Sequence, residues 1–439
     1  MRSRSQKSMS ISWVVIMGGM LHAQQSAPLE TPPLPRLTLA DAEHMAIEHN
    51  PRISIARLLQ LAQGQVAREV RSNELPTVNA NLTAVDSHTG SRVTAGALNN
   101  PIVYERAAGG LTVSQLITDF GRTRHLIQSA ESQTKAQADS QRATTADVVL
   151  AVDEAFYQSL TSQAVLQVAE QTVEARQATA DQISALTSSK LKSDLDLSFA
   201  NVELSQANLL LLDAQNSAQD AMASLNALLG SESDQEYNLV DPRPSVVPPP
   251  PEDIEPLVQL AFTARPDLAA LNESYMAARQ FSAAEHALTR PTVSALAAAG
   301  GTPIRADQIT SPWYGAVGAN VSIPVFNGFL FSARAHEADL RANAAEEEVR
   351  NLRELIARDV RTSALAAQAA YRRIDVTKQL LDQSNLALDL AQTRYKLGLS
   401  GIVELSQAQL AQTQGRIANA NARFAYQTAL AALTFQTGQ

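Results

Sequence analysis

The sequence predicts a mixed α and β membrane protein in which two structural repeats each combine two β-strands with very long α-helices. Three observations support this fold class. Proline and glycine are both absent from residues 122–229 and from residues 330–397. Apolar and polar residues alternate strictly at corresponding places in the two halves. Short motifs recur between the halves at offsets of 215 and 208 residues, which is typical of one structural unit used twice.

The N-terminus predicts a secretory signal peptide over residues 1–23. Three basic residues precede an apolar stretch from Ile11 to Leu21, and Ala23 supplies a small residue at the cleavage position. A short membrane anchor or a buried helix is the alternative, but a stretch of about eleven apolar residues is too short for a ~30 Å hydrocarbon core. Cleavage leaves 32 of the 35 basic residues against 44 acidic ones, and the mature chain is expected to work outside the cytoplasm.

Composition excludes several classes of function. The formal net charge is -9, and an acidic surface disfavours a nucleic-acid partner, because phosphate binding needs a basic patch. The chain has no cysteine, which excludes disulfides, thiolate metal sites and a cysteine nucleophile. Its seven histidines are scattered along the chain. We therefore expect no enzyme activity, no bound metal and no cofactor.

Two very long helices are predicted over residues 122–187 and 330–396. Proline costs about 3 kcal/mol in a helix interior and glycine about 1 kcal/mol, so stretches free of both favour unbroken helices. A helix of this length spans about 100 Å at 1.5 Å per residue. Helices much longer than the globular norm indicate coiled-coil-like packing.

A proline-rich linker over residues 241–256 divides the chain. It separates a first repeat, residues 24–240, from a second, residues 257–439, and its seven prolines predict a stiff, extended segment. Asn50-Pro51 of the first repeat matches Arg265-Pro266 of the second. Each repeat reads helix, strand, loop, strand, very long helix, turn and helix.

The shorter helices of each repeat are expected to stack end to end beside its long helix. Residues 51–74 and 195–229 together have nearly the length of the first long helix. Residues 266–289 and 403–436 have nearly that of the second. Pairs of equal length can line the wall of a cylinder.

Four strands with one apolar face are predicted near residues 77–87, 107–117, 291–299 and 314–325. Strands of about ten residues with this pattern fit a membrane β-barrel with an apolar lipid face and a polar lumen. Four strands cannot close a barrel, and open sheet edges are not tolerated in lipid, so the chain must oligomerise. Three copies supply twelve strands, enough to enclose a channel. The residues expected to face lipid are Val78, Ala80, Leu82, Val317, Val321 and Ile323.

Aromatic residues mark both ends of the predicted strands and suggest two interfacial girdles. Ordinary aromatics at the edge of a sheet core are the alternative. The loop-side set is Tyr104, Trp313 and Tyr314, and the helix-side set is Phe120, Phe326 and Phe329.

Several motifs, in order, resemble the TolC family of outer-membrane efflux proteins. They are Leu37-Thr38-Leu39-Ala40-Asp41-Ala42, Asn50-Pro51, Asn73-Glu74-Leu75-Pro76, Val113-Ser114-Gln115-Leu116, Asp119-Phe120-Gly121 and Arg394-Tyr395-Lys396-Leu397-Gly398-Leu399. The resemblance covers roughly residues 36–437. It implies a homotrimer in the cell outer membrane, with a twelve-stranded barrel in outer-membrane lipid and a long α-helical barrel in the periplasm. It also implies a passive exit duct that serves an inner-membrane efflux pump or ABC transporter through a periplasmic adaptor protein.

The resemblance further implies where such a duct is controlled. The turns after the long helices would form the periplasmic tip, with Leu397, Gly398, Leu399 and Leu191 expected to dock the adaptor. The gate would involve a set of residues beside these turns. That set is Glu404, Gln407, Tyr395, Asp194 and Asp196. Each could instead be an exposed helix-end residue, and the first-repeat turn lacks the glycine found in the second.

Two other functions are alternatives to an export duct. A periplasmic coiled-coil scaffold or adaptor without a membrane barrel would explain the helices and the signal peptide, but not the alternating strands that interrupt both halves. A secreted hydrolase would need a nucleophile constellation, and none is recognisable in the sequence.

Overall fold

The structure, a computed structural model, describes residues 34–88, 105–231, 235–241, 248–305 and 310–439. The predicted signal peptide, Tyr104 and residues 242–247 of the predicted linker lie outside the described residues. Among the helices of the described part, none is both long and apolar enough to cross a membrane.

Both repeats have the predicted order of elements, with one short helix added before the first predicted helix of each and a two-residue strand near each end of the first repeat. The first repeat contains β1 (Arg36–Leu37), α1 (Leu39–His49), α2 (Pro51–Arg71), β2 (Thr77–Val85), β3 (Arg106–Thr118), α3 (Arg122–Ser188) and α4 (Asp194–Leu228). It ends with β4 (Asn238–Leu239), and α5 (Glu255–Ala264) begins at the end of the linker. The second repeat then contains α6 (Pro266–His286), β5 (Thr292–Ile304), β6 (Trp313–Ser322), α7 (Leu330–Lys396) and α8 (Ile402–Thr437). Single 3₁₀ turns, Ser72–Glu74 and Ala287–Thr289, continue α2 and α6 to the predicted ends.

The helices lie side by side in a wall built around α3. Helices α2 and α4 follow one another along one side of α3, while α6 and α8 lie on its other side. Helix α7 packs against the far side of α6 and α8. The order across the wall is therefore α2, α3, α6, α7 near the sheet and α4, α3, α8, α7 near the tip. This is the end-to-end stacking that the helix lengths predicted.

The four long strands form one antiparallel sheet in the order β2-β3-β5-β6. Its register places the predicted lipid-facing residues of the strands on one face, because Val78 lies opposite Val113, Val113 opposite Ala297, and Ala297 opposite Val317. Strands β2 and β6 form the two edges and have no second neighbour in this sheet.

Two predictions about the strands need correction. Strand β6 ends at Ser322, so Ile323 lies beyond it. The following Pro324 has no backbone N–H to donate and terminates the ladder at this point. Strand β5 is longer than expected and reaches Ile304, although its Ala-rich stretch is a weak strand signal.

Each repeat has an equivalent helix junction, at Asn50-Pro51 in the first repeat and at Arg265-Pro266 in the second. Asn50 Oδ1 accepts a hydrogen bond from the Arg52 N–H at 2.9 Å, and its Nδ2 donates to the Leu228 carbonyl at the end of α4 at 2.9 Å. At the corresponding place, Arg265 donates to the backbone carbonyl and side chain of Gln436 near the end of α8. An amide in the first repeat and a guanidinium in the second thus bind the corresponding ends of α4 and α8.

Residues 248–251 of the proline-rich linker lie against the second repeat. The Tyr426 hydroxyl of α8 donates to the Pro248 carbonyl at 2.6 Å, and the Gln368 amide of α7 donates to the Pro251 carbonyl at 3.0 Å. An extended proline segment has free carbonyls, and these two side chains satisfy two of them.

Candidate functional site

The end of the wall opposite the sheet, here called the tip, consists of the turns at residues 189–193 and 397–401. Lys190 and Gly398 take the left-handed backbone conformation, with φ of 59° and 72°. Each turn closes with a backbone hydrogen bond of 2.8 Å, from Leu191 to Leu186 and from Leu399 to Arg394. The first-repeat turn therefore has the same geometry as the second although it lacks a glycine.

Three leucines project from these turns into solvent. Leu191, Leu397 and Leu399 expose 70%, 67% and 66% of their surface. Exposed apolar patches are typical of protein–protein contact surfaces. The structure brings the predicted docking residues of both repeats to the same end of the molecule.

Tyr395 joins the two turns rather than facing solvent. Its side chain is 7% exposed and packs with Ile183 of α3 and Leu405 of α8. The Lys192 ammonium lies 4.0 Å from the centre of its ring, in cation–π geometry. Burial, and then the charge of Asp196, raise the pKa of the Tyr395 hydroxyl, which has no hydrogen-bond partner in the described residues.

Glu404 is paired within its own chain. Arg394 Nε donates to Glu404 Oε1 at 2.9 Å, and both side chains are about half exposed. Gln407, one turn further along α8, is exposed. A salt bridge of this exposure contributes little to stability, but it partly neutralises the carboxylate for which the family resemblance implies a place in the gate.

The first repeat places its acids at the start of α4. Asp196 occupies the position that matches Glu404 and forms a capping box with Ser193, whose hydroxyl lies 2.9 Å from Asp196 Oδ2. Asp194 is the exposed first residue of the helix. Both carboxylates lie at the N-terminus of α4, where they interact favourably with the positive end of the helix dipole, so they have a structural role there.

Left-handed phenylalanines form a repeated elbow at the other end of the wall, where strands turn into long helices. Phe120 and Phe329 have φ of 54° and 67°, which is uncommon for a bulky residue. Both are exposed, and Phe329 packs edge-on against Phe326 with ring centres 5.8 Å apart. Sequence reasoning listed these aromatics but had no signal for their backbone conformation.

Tyr314 departs from the girdle that the sequence predicted. It lies opposite Gly300, whereas Trp313 lies opposite Gly301, so the two aromatics point to different faces of the sheet. Tyr314 extends across Gly300 and Gly110, where its hydroxyl fills the space that a Cβ would need. It is therefore a cross-strand packing residue on the face away from Leu82, because neighbouring strand residues alternate in direction.

The described residues offer no constellation for metal chemistry. Within the ranges that the structure covers, no group of three or more His, Asp or Glu side chains is arranged to hold a metal ion.

Comparison with known proteins decides the family. The sequence model of the outer membrane efflux protein family matches residues 43–231 and 257–439. The chain belongs to the outer membrane efflux protein family. The two matched segments correspond to the two repeats, and membership identifies the chain as an outer-membrane protein.

Individual relatives in this family are distant. The chain is 25% identical over 307 residues to the solvent efflux pump outer membrane protein SrpC and to the toluene efflux pump outer membrane protein TtgI, both of Pseudomonas putida. Each match covers 68% of this chain and 64% of the relative, so the chain spans just under two thirds of their length.

A solved outer-membrane protein structure has the same fold. The outer membrane protein VceC of Vibrio cholerae superposes with a TM-score of 0.78 at 20% identity, over 91% of this chain and 96% of VceC. At this identity the likeness shows the mixed helical and stranded fold alone.

Proposed function

We propose that the protein is the outer-membrane exit duct of an efflux system: a passive conduit for substrates that an inner-membrane transporter delivers through a periplasmic adaptor. It is not an enzyme in this proposal. The observation that carries it is that a single chain leaves two lateral edges of its helical wall and sheet without a neighbour. Strand β2 with helices α2 and α4 forms one, and strand β6 with helix α7 forms the other.

Exposed apolar side chains concentrate on these open surfaces. Within the described residues, α3, which has neighbours on both sides, exposes no large apolar side chain. The exposed set on α2 is Ile55, Leu58, Leu59, Leu61 and Val66; on α4 it is Leu195, Phe199, Val202, Leu209 and Leu212; and on α7 it is Leu330, Leu340, Leu365, Val376, Leu380, Leu386 and Leu390. Burying one such side chain contributes about 1.5–3 kcal/mol, which strongly favours association.

The two lateral edges present different surfaces, which favours a closed ring. A head-to-tail contact between unlike surfaces generates a ring when the rotation closes. Three copies would place twelve strands in one barrel and twelve helices at each level of the wall. Twelve strands leave a lumen, whereas eight would be filled by side chains. We propose this homotrimer, with the apolar sheet face in lipid and residues 24–240 and 257–439 as the two halves of each protomer.

The tip would then be the constricted entrance and the adaptor contact. The exposed Leu191, Leu397 and Leu399 support docking of a partner at both turns. Tyr395, held between the turns by Ile183 and Lys192, supports a gate in which the two helical hairpins separate when the entrance opens. The names of SrpC and TtgI favour an efflux pump as the inner-membrane partner.

Disulfide trapping tests the ring directly, because the chain contains no cysteine. Leu209 lies 15 residues after the start of α4 and Leu380 lies 16 residues before the end of α7, so both are about 22–24 Å from the tip. Oxidation of a Leu209→Cys/Leu380→Cys chain in membranes is expected to give a covalent trimer on a denaturing gel. Either single variant should remain monomeric on that gel.

The result would contradict the ring if the double variant gave no covalent species while the outer membrane still contained the protein. Fractionation separates the alternative function. A periplasmic scaffold would be recovered in the soluble periplasmic extract, whereas a duct is expected with the outer membranes.

A further inference from the structure

A pair of carboxyl groups joins α1 to α3, far from the tip and the sheet. Glu43 of α1 lies within hydrogen-bonding reach of Asp153 of α3. Asp153 Oδ1 is buried and has no hydrogen-bond partner in the described part of the chain. Two carboxylates in such a position repel each other unless one holds a proton, so this contact is sensitive to protonation.

The pair lies on the wall of a cavity between the two repeats. The cavity has a volume of about 750 Å³, and Glu43 and Asp153 line it from the first repeat. Arg265, Asp267 and Phe435 line it from the second. Ala42 and Ala46 of α1 are buried in one core cluster with α3, so loosening of α1 weakens those contacts, and the cavity beside the pair provides the space into which it moves.

The charged groups around Asp153 do not neutralise it. On its own helix Glu154 adds negative charge, and Asp241 after β4 faces Tyr157, one turn from Asp153. The cavity also contains Asp147 and two arginines, but Arg142 pairs with Asp139 at 3.0 Å and Arg265 pairs with Asp267 at 2.6 Å. Both cations that face the cavity are therefore engaged by other carboxylates.

We propose that Asp153 and Glu43 form a proton-dependent clamp that holds α1 on α3. With one proton shared, the two carboxyl groups form a hydrogen bond across the helices. When that proton leaves to solvent, both groups are negative and α1 loosens toward the cavity. The clamp requires only the fold of one chain and does not depend on the proposed ring or duct.

The direction of the pH response follows from the environment of Asp153. Burial first, and then the charge of Glu43, raise the pKa of Asp153 from 3.8 to about 7. When α1 is released, the Asp153 pKa returns toward its ordinary value, so the closed clamp binds the proton and the open one does not. The open fraction is expected to rise by up to about tenfold per pH unit between pH 4 and 7 and to level off above.

Hydrogen exchange of the full-length protein in detergent tests the clamp. After correction for intrinsic exchange rates, the protection of α1 amides around Ala46 is expected to fall about tenfold or more between pH 5 and 7. Asp153→Asn should keep the protection high at every pH, because the amide still donates to Glu43 without ionising. Glu43→Gln should flatten the profile in the same way.

Asp147→Asn is the matched control, since Asp147 lines the same cavity but is not part of the pair. It is expected to retain the wild-type profile. The proposal is overturned if α1 protection does not change between pH 5 and 7. It is also overturned if the same fall persists in both Asp153→Asn and Glu43→Gln.

Discussion

At the scale of single residues, Gly230 shows how closely α1 and the end of α4 approach each other at the junction of the first repeat. It has φ of 75°, and a Cβ added there would lie 2.7 Å from the His49 carbonyl oxygen. Gly230→Ala is expected to cost about 1–3 kcal/mol through backbone strain alone, before that clash is relieved. Gly64, inside α2 with open space around it, is the control, and Gly64→Ala should be neutral or stabilise by up to about 1 kcal/mol.

The loss of helical circular dichroism on heating measures both effects. Gly230→Ala should lower the midpoint temperature, and Gly64→Ala should leave it unchanged or raise it. Equal midpoints for the two variants would show that the junction tolerates a side chain at Gly230.

The Arg394–Glu404 ion pair allows a test of the proposed gate, because removing either partner should shift the cation selectivity of the channel in opposite directions. Glu404→Gln leaves Arg394 without its partner and adds one positive charge per chain at the tip. Cation selectivity of the purified channel in a planar bilayer should fall, because charges in a narrow entrance focus the local potential. Arg394→Gln removes the cation instead and should raise that selectivity.

Both shifts should shrink in high salt, since the Debye length is only ~8 Å at physiological ionic strength. The reversal potential in a salt gradient is the measurement. If neither substitution moves it, this ion pair is a solvated helix-end pair away from the conduction path.

The partners of these tip residues show what sequence reasoning could and could not supply. The 208-residue offset aligns Leu191 with Leu399 and Asp196 with Glu404, and both pairs occupy matching places in the structure. The contact of Lys192 with Tyr395 was not predictable, because it depends on how two long hairpins rotate about their axes. The left-handed Lys190 was also missed, since lysine has no intrinsic preference for that conformation.

At the scale of elements, the sheet face is open to a direct test. Val321 lies opposite Val293 on the apolar face, and its neighbour Asn320 lies opposite Ser294 on the other face. Val321→Arg is expected to lower membrane assembly, because a cation on the lipid face costs about 2–4 kcal/mol at the midplane and about 1 kcal/mol near the interface, the side on which Val321 lies at the end of β6. Asn320→Arg should be tolerated, since the lumen of a barrel is polar. The amount of heat-modifiable protein in outer-membrane extracts measures assembly, and equal yields would reverse or abolish the face assignment.

The same elements show which signals in the sequence were strong. The absence of proline and glycine predicted α3 and α7 to within one residue of their ends, because these are the two residues that destabilise a helix interior most. Helices α1 and α5 were missed because each has only 11 or 10 residues and ends at a proline motif that reads as a boundary. The two-residue pairing of β1 with β4 joins distant segments, and its length leaves no periodicity to detect.

At the scale of the whole molecule, the open ends of the wall predict that assembly depends on apolar contacts between chains. Leu380 of α7 is half exposed in the single chain and lies on the proposed contact with α4 of the next copy. Leu380→Lys would place an unpaired ammonium in that seam, which is costly unless the helices separate. Met276 has similar exposure, but its helix α6 already has neighbours on both sides, and it provides the control. Mass measurement in detergent should give a trimer for the wild-type protein and for Met276→Lys, and smaller species for Leu380→Lys. A monodisperse wild-type monomer, or a trimer that survives Leu380→Lys unchanged at low protein concentration, would show that the exposed apolar face of α7 does not hold the ring together.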